Sequence, residues 1–163
     1  MGSNEKLSVL MVCLGNICRS PMAEAVFRHV ALENGLLDRF DVIDSAGTGA
    51  YHVGNSPDSR SAAECRKNNV AISHRARQAR PKDYDDFDYI LAMDEYNLRD
   101  LEGAKPDGCR AKVMMFGDFA DGGKKGVVVE DPYYGGQKGF EVNFRQCKVF
   151  SENFMRQVLG SEI

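Results

Sequence analysis

No stretch of this 163-residue sequence is apolar enough for long enough to span a membrane, so a membrane protein is not expected. The start lacks the apolar core of a secretory signal. Lys6 also stands where N-myristoylation takes Ser or Thr. Residues 1–6 are expected to be disordered or left over from cloning. Basic excess is missing too: Lys and Arg total 21 against 24 Asp and Glu, a net charge of −3. A nucleic-acid partner would ordinarily demand the opposite balance. The five cysteines are odd in number, scattered, and include no Cys-x2-Cys pair. That excludes a disulfide framework, argues against a zinc site, and fits a reducing cytoplasm. Cys65, Cys109 and Cys147 read as core or half-buried thiols. Neither repeats, linkers nor low-complexity segments break the chain, so residues 1–163 read as one domain, long enough for a proper core.

What is present begins with Cys13-Leu14-Gly15-Asn16-Ile17-Cys18-Arg19-Ser20-Pro21. An apolar run, Ser8 to Cys13, precedes it and a helical pattern follows from Pro21. A strand, a tight turn and a helix N-terminus thus bring a cysteine to a place where unpaired N–H groups converge. Such a place binds a tetrahedral dianion such as phosphate and favours a thiolate. Gly15 and Asn16 tolerate the left-handed backbone that a cradle needs. Arg19 can offer its guanidinium fork to phosphoryl oxygens. Ser20 can cap the helix, with Pro21 at its first position, or donate its hydroxyl to Cys13.

Four apolar runs, at 8–13, 40–45, 87–92 and 111–116, alternate with helical stretches at about 21–34, 58–68, 95–101 and 138–159. Alternation of this kind predicts an α/β fold: a doubly wound, four-stranded parallel sheet with helices on both faces. Phe140, Phe144, Cys147, Phe150, Phe154 and Val158 recur at steps of three and four and form one core-facing stripe. Ligands in such sheets sit beyond the carboxyl ends of the strands, where Cys13, Ser45 and Met93-Asp94 fall. The Gly- and Asp-rich stretch 117–137 is a long loop carrying Asp131 over the same edge.

Attack of a Cys13 thiolate on a phosphate monoester would give a phosphocysteine and expel an oxyanion. A phenoxide leaves poorly unless a carboxylic acid protonates it, and the same group can later serve as base for water. From the residues alone, Asp131 is equally a turn aspartate before proline. His74 reads as a surface histidine in a basic strip with Arg75, Arg77 and Arg80, Tyr51 as an exposed loop residue, and Asp94 as a helix-start aspartate.

The nucleophile loop and the later Asp131-Pro132-Tyr133-Tyr134-Gly135, in that order and separation, resemble the low-molecular-weight protein tyrosine phosphatases. So do Asp44-Ser45-Ala46-Gly47-Thr48, residues 54–60, residues 74–78, and residues 87–90 leading to Met93-Asp94. The resemblance implies hydrolysis of phosphotyrosine in proteins, with Cys13, Arg19 and Asp131 catalytic and no cofactor or metal. It implies that Leu14, Gly15, Asn16, Ile17, Cys18, Arg19 and Ser20 bind phosphate. Asn16, Ser20, Ser45, His74 and Asp94 would support the loop, and Tyr51, Tyr133 and Tyr134 would wall the pocket. Cys18 would be a redox partner of Cys13. Phosphate and vanadate would be active-site ligands, and the protein a monomer or weakly self-associating. Bacterial protein-arginine phosphatases resemble this family but carry threonine where this chain has Ile17. Arsenate reductases on this fold need resolving cysteines that residues 71–108 lack. A catalytically inactive phosphate-binding module is the remaining alternative.

Overall fold

The apolar run ending at Cys13 becomes β1 (Leu7–Cys13), and its uninterrupted burial reflects a place inside the sheet. In this computed structural model, residues 5–163 are described; the expectation for residues 1–6 thus falls mostly on residues outside the described ones, while Glu5 and Lys6 are exposed coil. The remaining strands are β2 (Phe40–Gly47), β3 (Tyr89–Ala92) and β4 (Lys112–Met115). All pairings are parallel, in the order β2-β1-β3-β4. The helices are α1 (Arg19–Glu33), α2 (Ser59–Lys67), α3 (Asp83–Asp86), α4 (Glu95–Ala104) and α5 (Gln137–Leu159). The short α3 has no periodicity to announce it, and the 117–137 stretch includes two 3₁₀ turns within or at its start, Phe116–Phe119 and Asp121–Gly123.

The period-two alternation of β1 sorts the core into two layers. Val9 and Met11 join Val26, Phe27 and the α5 stripe on one face, while Leu10 and Val12 meet Tyr84, Phe87 and Leu101 on the other. Phe154 is the aromatic hub of the first layer, its ring 5.0–6.4 Å from those of Phe27, Phe40, Tyr89 and Phe119. Deleting a core ring of this kind costs about 3–5 kcal/mol. Cys65 and Cys147 are buried and Cys109 half-buried, as expected.

One local expectation is corrected. Helix α1 begins at Arg19, with Cys18 in the cap position and no side-chain capping bond, so Ser20 is not the N-cap. Pro21 sits at the third helical position, still within the first turn, where a missing N–H costs nothing. The hydroxyl of Ser20 has other partners.

Candidate active site

Cys13 ends β1 and is almost fully buried, and the chain turns over it through Leu14–Cys18 before entering α1. Asn16 takes φ 58°, the left-handed conformation that asparagine tolerates better than most residues. Its side chain then acts as the hub beneath the loop. Nδ2 donates to Ser20 Oγ at 2.8 Å and to Ser45 Oγ at 3.0 Å. Oδ1 accepts from the Arg77 backbone N–H at 3.0 Å and from His74 Nε2 at 2.8 Å. Because Asn16 Oδ1 can only accept, that nitrogen of His74 carries the proton. The sulfur of Cys13 receives the Asn16 backbone N–H at 3.3 Å and lies 3.0 Å from Ser20 Oγ. The loop N–H and the Ser20 hydroxyl thus both face the sulfur, one from the turn and one from α1.

Arg19 is 3 % exposed, and its Nη1 donates to Asp94 Oδ2 at 2.6 Å and to Val129 O at 3.0 Å. Its Nη2 lies 3.9 Å from Asp131 Oδ2. Burial works against the charge on Arg19. The sulfur of Cys13 and the carboxylates of Asp94 and Asp131 outweigh it and hold the guanidinium above its ordinary pKa. Asp94 serves twice, because its Oδ1 also accepts the Asn97 N–H at 2.8 Å and caps α4.

The cleft above the loop measures about 420 Å³ and is lined by Cys13, Leu14, Gly15, Ile17, Cys18, Arg19, Tyr51, His52, Asp131, Tyr133 and Tyr134. The structure thus brings nearly all the expected residues to one place. Asn16, Ser20, Ser45, His74 and Asp94 lie beneath or behind the cleft surface. Tyr51 and Tyr134 stand at the mouth, 76 % and 94 % exposed. The rings of Tyr133 and Tyr134 meet edge to face at 5.0 Å. Asp131 Oδ1 accepts the Tyr133 N–H at 3.0 Å, so the turn aspartate and the cleft aspartate are the same residue. Cys18 is buried, and burial, followed by the charges of Asp58, Cys13 and Asp131, pushes its thiol up to about 12.

Further side chains contribute in ways that were not read from the sequence. His52 packs on the loop so closely that a Cβ at Gly15 would lie 2.8 Å from its ring, which ties that glycine to a close approach. Glu24, on the same α1 face as Ser20, accepts Ser45 Oγ at 2.7 Å and lies 3.3 Å from His74 Nδ1. Spacing of four along a helix was the available signal. Asp44 lies 3.8 Å from the same nitrogen, and Arg28 and Arg77 supply counter-charge to Glu24 and Asp44. This network makes His74 an interior residue. It also removes Arg77 from the solvated strip, since Arg77 pairs with Asp83 as well. Finally, Arg60 forks onto Asp58 and lies over the Tyr133 and Phe140 rings at 5.4 and 4.8 Å, bracing the tyrosine wall.

Chemically, the arrangement offers a donor-rich seat for a tetrahedral anion, a sulfur beneath it, a fixed cation beside it and a half-exposed carboxyl above it. The family model described as low molecular weight phosphotyrosine protein phosphatase matches residues 8–162. The low molecular weight phosphotyrosine protein phosphatase of Schizosaccharomyces pombe is 52 % identical over 154 residues, 94 % of this chain and 98 % of that protein. A protein tyrosine phosphatase from Entamoeba histolytica, solved with Hepes in its active site, superimposes with TM-score 0.89 at 35 % identity, covering 97 % of this chain and all of the other. The arginine phosphatase DARP of drosophila superimposes with TM-score 0.85 at 33 % identity, over 96 % of this chain and all of that one.

Proposed function

The chain belongs to the low molecular weight phosphotyrosine protein phosphatase family, and from that premise we propose that it hydrolyses phosphotyrosine in proteins, and small aryl phosphates, through a phosphocysteine. The observation carrying this reading is the meeting of the Cys13 sulfur, the Arg19 guanidinium and the Asp131 carboxyl in one aromatic-walled cleft.

The steps follow from those positions. Substrate phosphate settles on the N–H groups of loop 14–20 and α1, with Arg19 holding two of its oxygens. Cys13 Sγ attacks phosphorus from below as the bond to the phenolic oxygen breaks, and Asp131 gives its proton to that departing oxygen. Water then attacks the phosphocysteine, Asp131 takes a proton from that water and is reprotonated for the next turnover, and inorganic phosphate leaves with the thiolate restored. Side chains and backbone supply every group these steps need. Tyr51, Tyr133 and Tyr134 form walls that suit a flat aryl ester, and the short stem of phosphoserine would leave its phosphate short of the loop. Phosphate and vanadate occupy the same seat as inhibitors. Five free thiols suit a reducing cytoplasm. Cys18, beside Cys13 in the loop, acts as the thiol that intercepts an oxidised Cys13.

Similarity to the drosophila arginine phosphatase gives a second reading, phosphoarginine hydrolysis, against which stand Ile17 in the cleft and the tyrosine pair. Rates on phosphotyrosine, phosphoarginine and phosphoserine peptides, with wild type beside Cys13→Ser, separate the readings. Phosphotyrosine should be hydrolysed fastest, in the presence of EDTA, and Cys13→Ser should be inactive. Faster phosphoarginine hydrolysis would favour the second reading, and an active Cys13→Ser would end the cysteine mechanism.

A further inference from the structure

The segment 127–131, which delivers Asp131 to the cleft, lies outside the four-stranded sheet. The Val129 N–H donates to Met93 O at 2.9 Å and the Val127 N–H to Gly117 O at 3.3 Å. Successive carbonyls along extended chain point to opposite sides. The Val129 carbonyl turns toward the anion seat and accepts from Arg19 Nη1 at 3.0 Å. Its two neighbours meet helix α5. Gln146 Nε2 donates to Val128 O at 3.1 Å, and Asn143 Nδ2 donates to Glu130 O at 3.0 Å. Asn143 and Gln146 are three residues apart, on one helix face.

Both carboxamides carry an anomaly. Among the described residues, Asn143 Oδ1 and Gln146 Oε1 are buried atoms with no hydrogen-bond partner. Leaving a buried acceptor empty is costly, and native proteins seldom do so. Neither amide can turn over to relieve it, because the rotated oxygen would face a carbonyl oxygen. Asn143, 2 % exposed, also lies within the apolar stripe of Phe140, Phe144 and Cys147, where an aliphatic residue would pack without that cost. The two N–H donors are what these positions keep.

We propose that Asn143 and Gln146 are positioning residues for Asp131, clamping the segment from the α5 side while Arg19 holds it from the other. The inference rests on the proposed role of Asp131 as proton donor. Arg19 makes the clamp more than packing, since one guanidinium both seats the phosphate and grips the peptide two residues before the acid. With both amides in place, the carboxyl is held at a set height above the phosphate. Release of the carbonyls of residues 128 and 130 lets the segment tilt, and a displacement near 1 Å at a reacting group costs on the order of 10²-fold in rate.

The test uses Asn143→Leu and Gln146→Met, which keep bulk and remove the donors, singly and together. The rate compared is kcat/KM, which reports transfer to Cys13 and not the later hydrolysis that both esters share, on phenyl phosphate, whose leaving group needs the proton, and on the ester of a strongly acidic phenol, which does not. Each variant is repeated in an Asp131→Ala background, with vanadate affinity and thermal melting alongside. The double variant should lose about 10- to 10²-fold on phenyl phosphate and little on the acidic phenol ester, with vanadate affinity kept. In Asp131→Ala the same substitutions should cost nothing more. Equal losses on both esters, an undiminished rate on phenyl phosphate, or a loss that persists without Asp131 would each overturn the clamp. Should the Leu and Met variants fail to fold, Asn143→Ala and Gln146→Ala are read by the same ratio of rates. If Asp131→Ala alone slows both esters alike, the acid assignment falls and the clamp falls with it, a result seen before α5 is altered.

Discussion

Asp94 holds two structures at once, and its two oxygens allow the roles to be separated. Oδ1 caps α4 through the Asn97 N–H, and Oδ2 takes Nη1 of the buried Arg19 at 2.6 Å. An N-cap is worth about 1 kcal/mol, whereas a hydrogen bond to a charged group is worth about 1.5–3 kcal/mol. Asp94→Ser keeps a cap acceptor but is too short to reach Arg19. Asp94→Ala loses both. If the arginine contact is expressed in the transition state, 1.5–3 kcal/mol corresponds to a fall of about 10- to 150-fold in kcat/KM on p-nitrophenyl phosphate for either variant. Only Asp94→Ala should lose the further stability of the cap, read as a lower urea midpoint. Vanadate affinity should fall with kcat/KM, because the same guanidinium seats both anions. Should Asp94→Ser keep wild-type kcat/KM and vanadate affinity while Asp94→Ala loses only stability, Asp94 is a helix cap and the argument from Arg19 is wrong.

Alkaline conditions should expose the buried thiols. Burial raises Cys65 from 9.0 to about 12, so between those values the unfolded chain releases a proton that the folded chain keeps. Its contribution is complete below pH about 9 and is lost as pH rises, at about 1.4 kcal/mol per pH unit. Urea unfolding followed above pH about 9 should show a shallower decline for Cys65→Ala than for wild type; parallel declines would remove the thiol from the account. Peroxide should inactivate the enzyme reversibly: Cys13 becomes a sulfenic acid, and Cys18 displaces its hydroxyl as water to leave a disulfide. The Cys18 thiol, raised to about 12, is a neutral and slow partner near neutrality, so disulfide closure should quicken as pH rises. Cys18→Ser should regain little activity with dithiothreitol; equal recovery and no Cys13–Cys18 peptide would make Cys18 a packing residue.

Legibility of this chain divides by sequence distance and by chemistry. The β1 run, Gly15, Asn16, Pro21 and the α5 stripe each declare a backbone conformation or a period, and those are local properties. Ser20 shows where local reasoning stops: its type and place suit a helix cap, yet its hydroxyl is engaged by Asn16 and faces the Cys13 sulfur, and the helix starts two residues earlier than it would set. The roles of His52, Asp44 and Arg77 were opaque because their partners are brought close only by the fold, whereas Glu24 had one local sign, its step of four from Ser20. The resemblance supplied Ser45, His74 and Asp94, which no spacing rule would have joined to a loop 29 to 78 residues away. Asn143 is the instructive omission. It lies at stripe spacing between Phe140 and Phe144, and a polar residue inside an apolar stripe is itself a signal that something across the interface requires a hydrogen bond. What it requires is the Glu130 carbonyl, one residue before the acid. A sequence pattern can thus mark where polarity is out of place; only the fold shows which backbone group it was kept for.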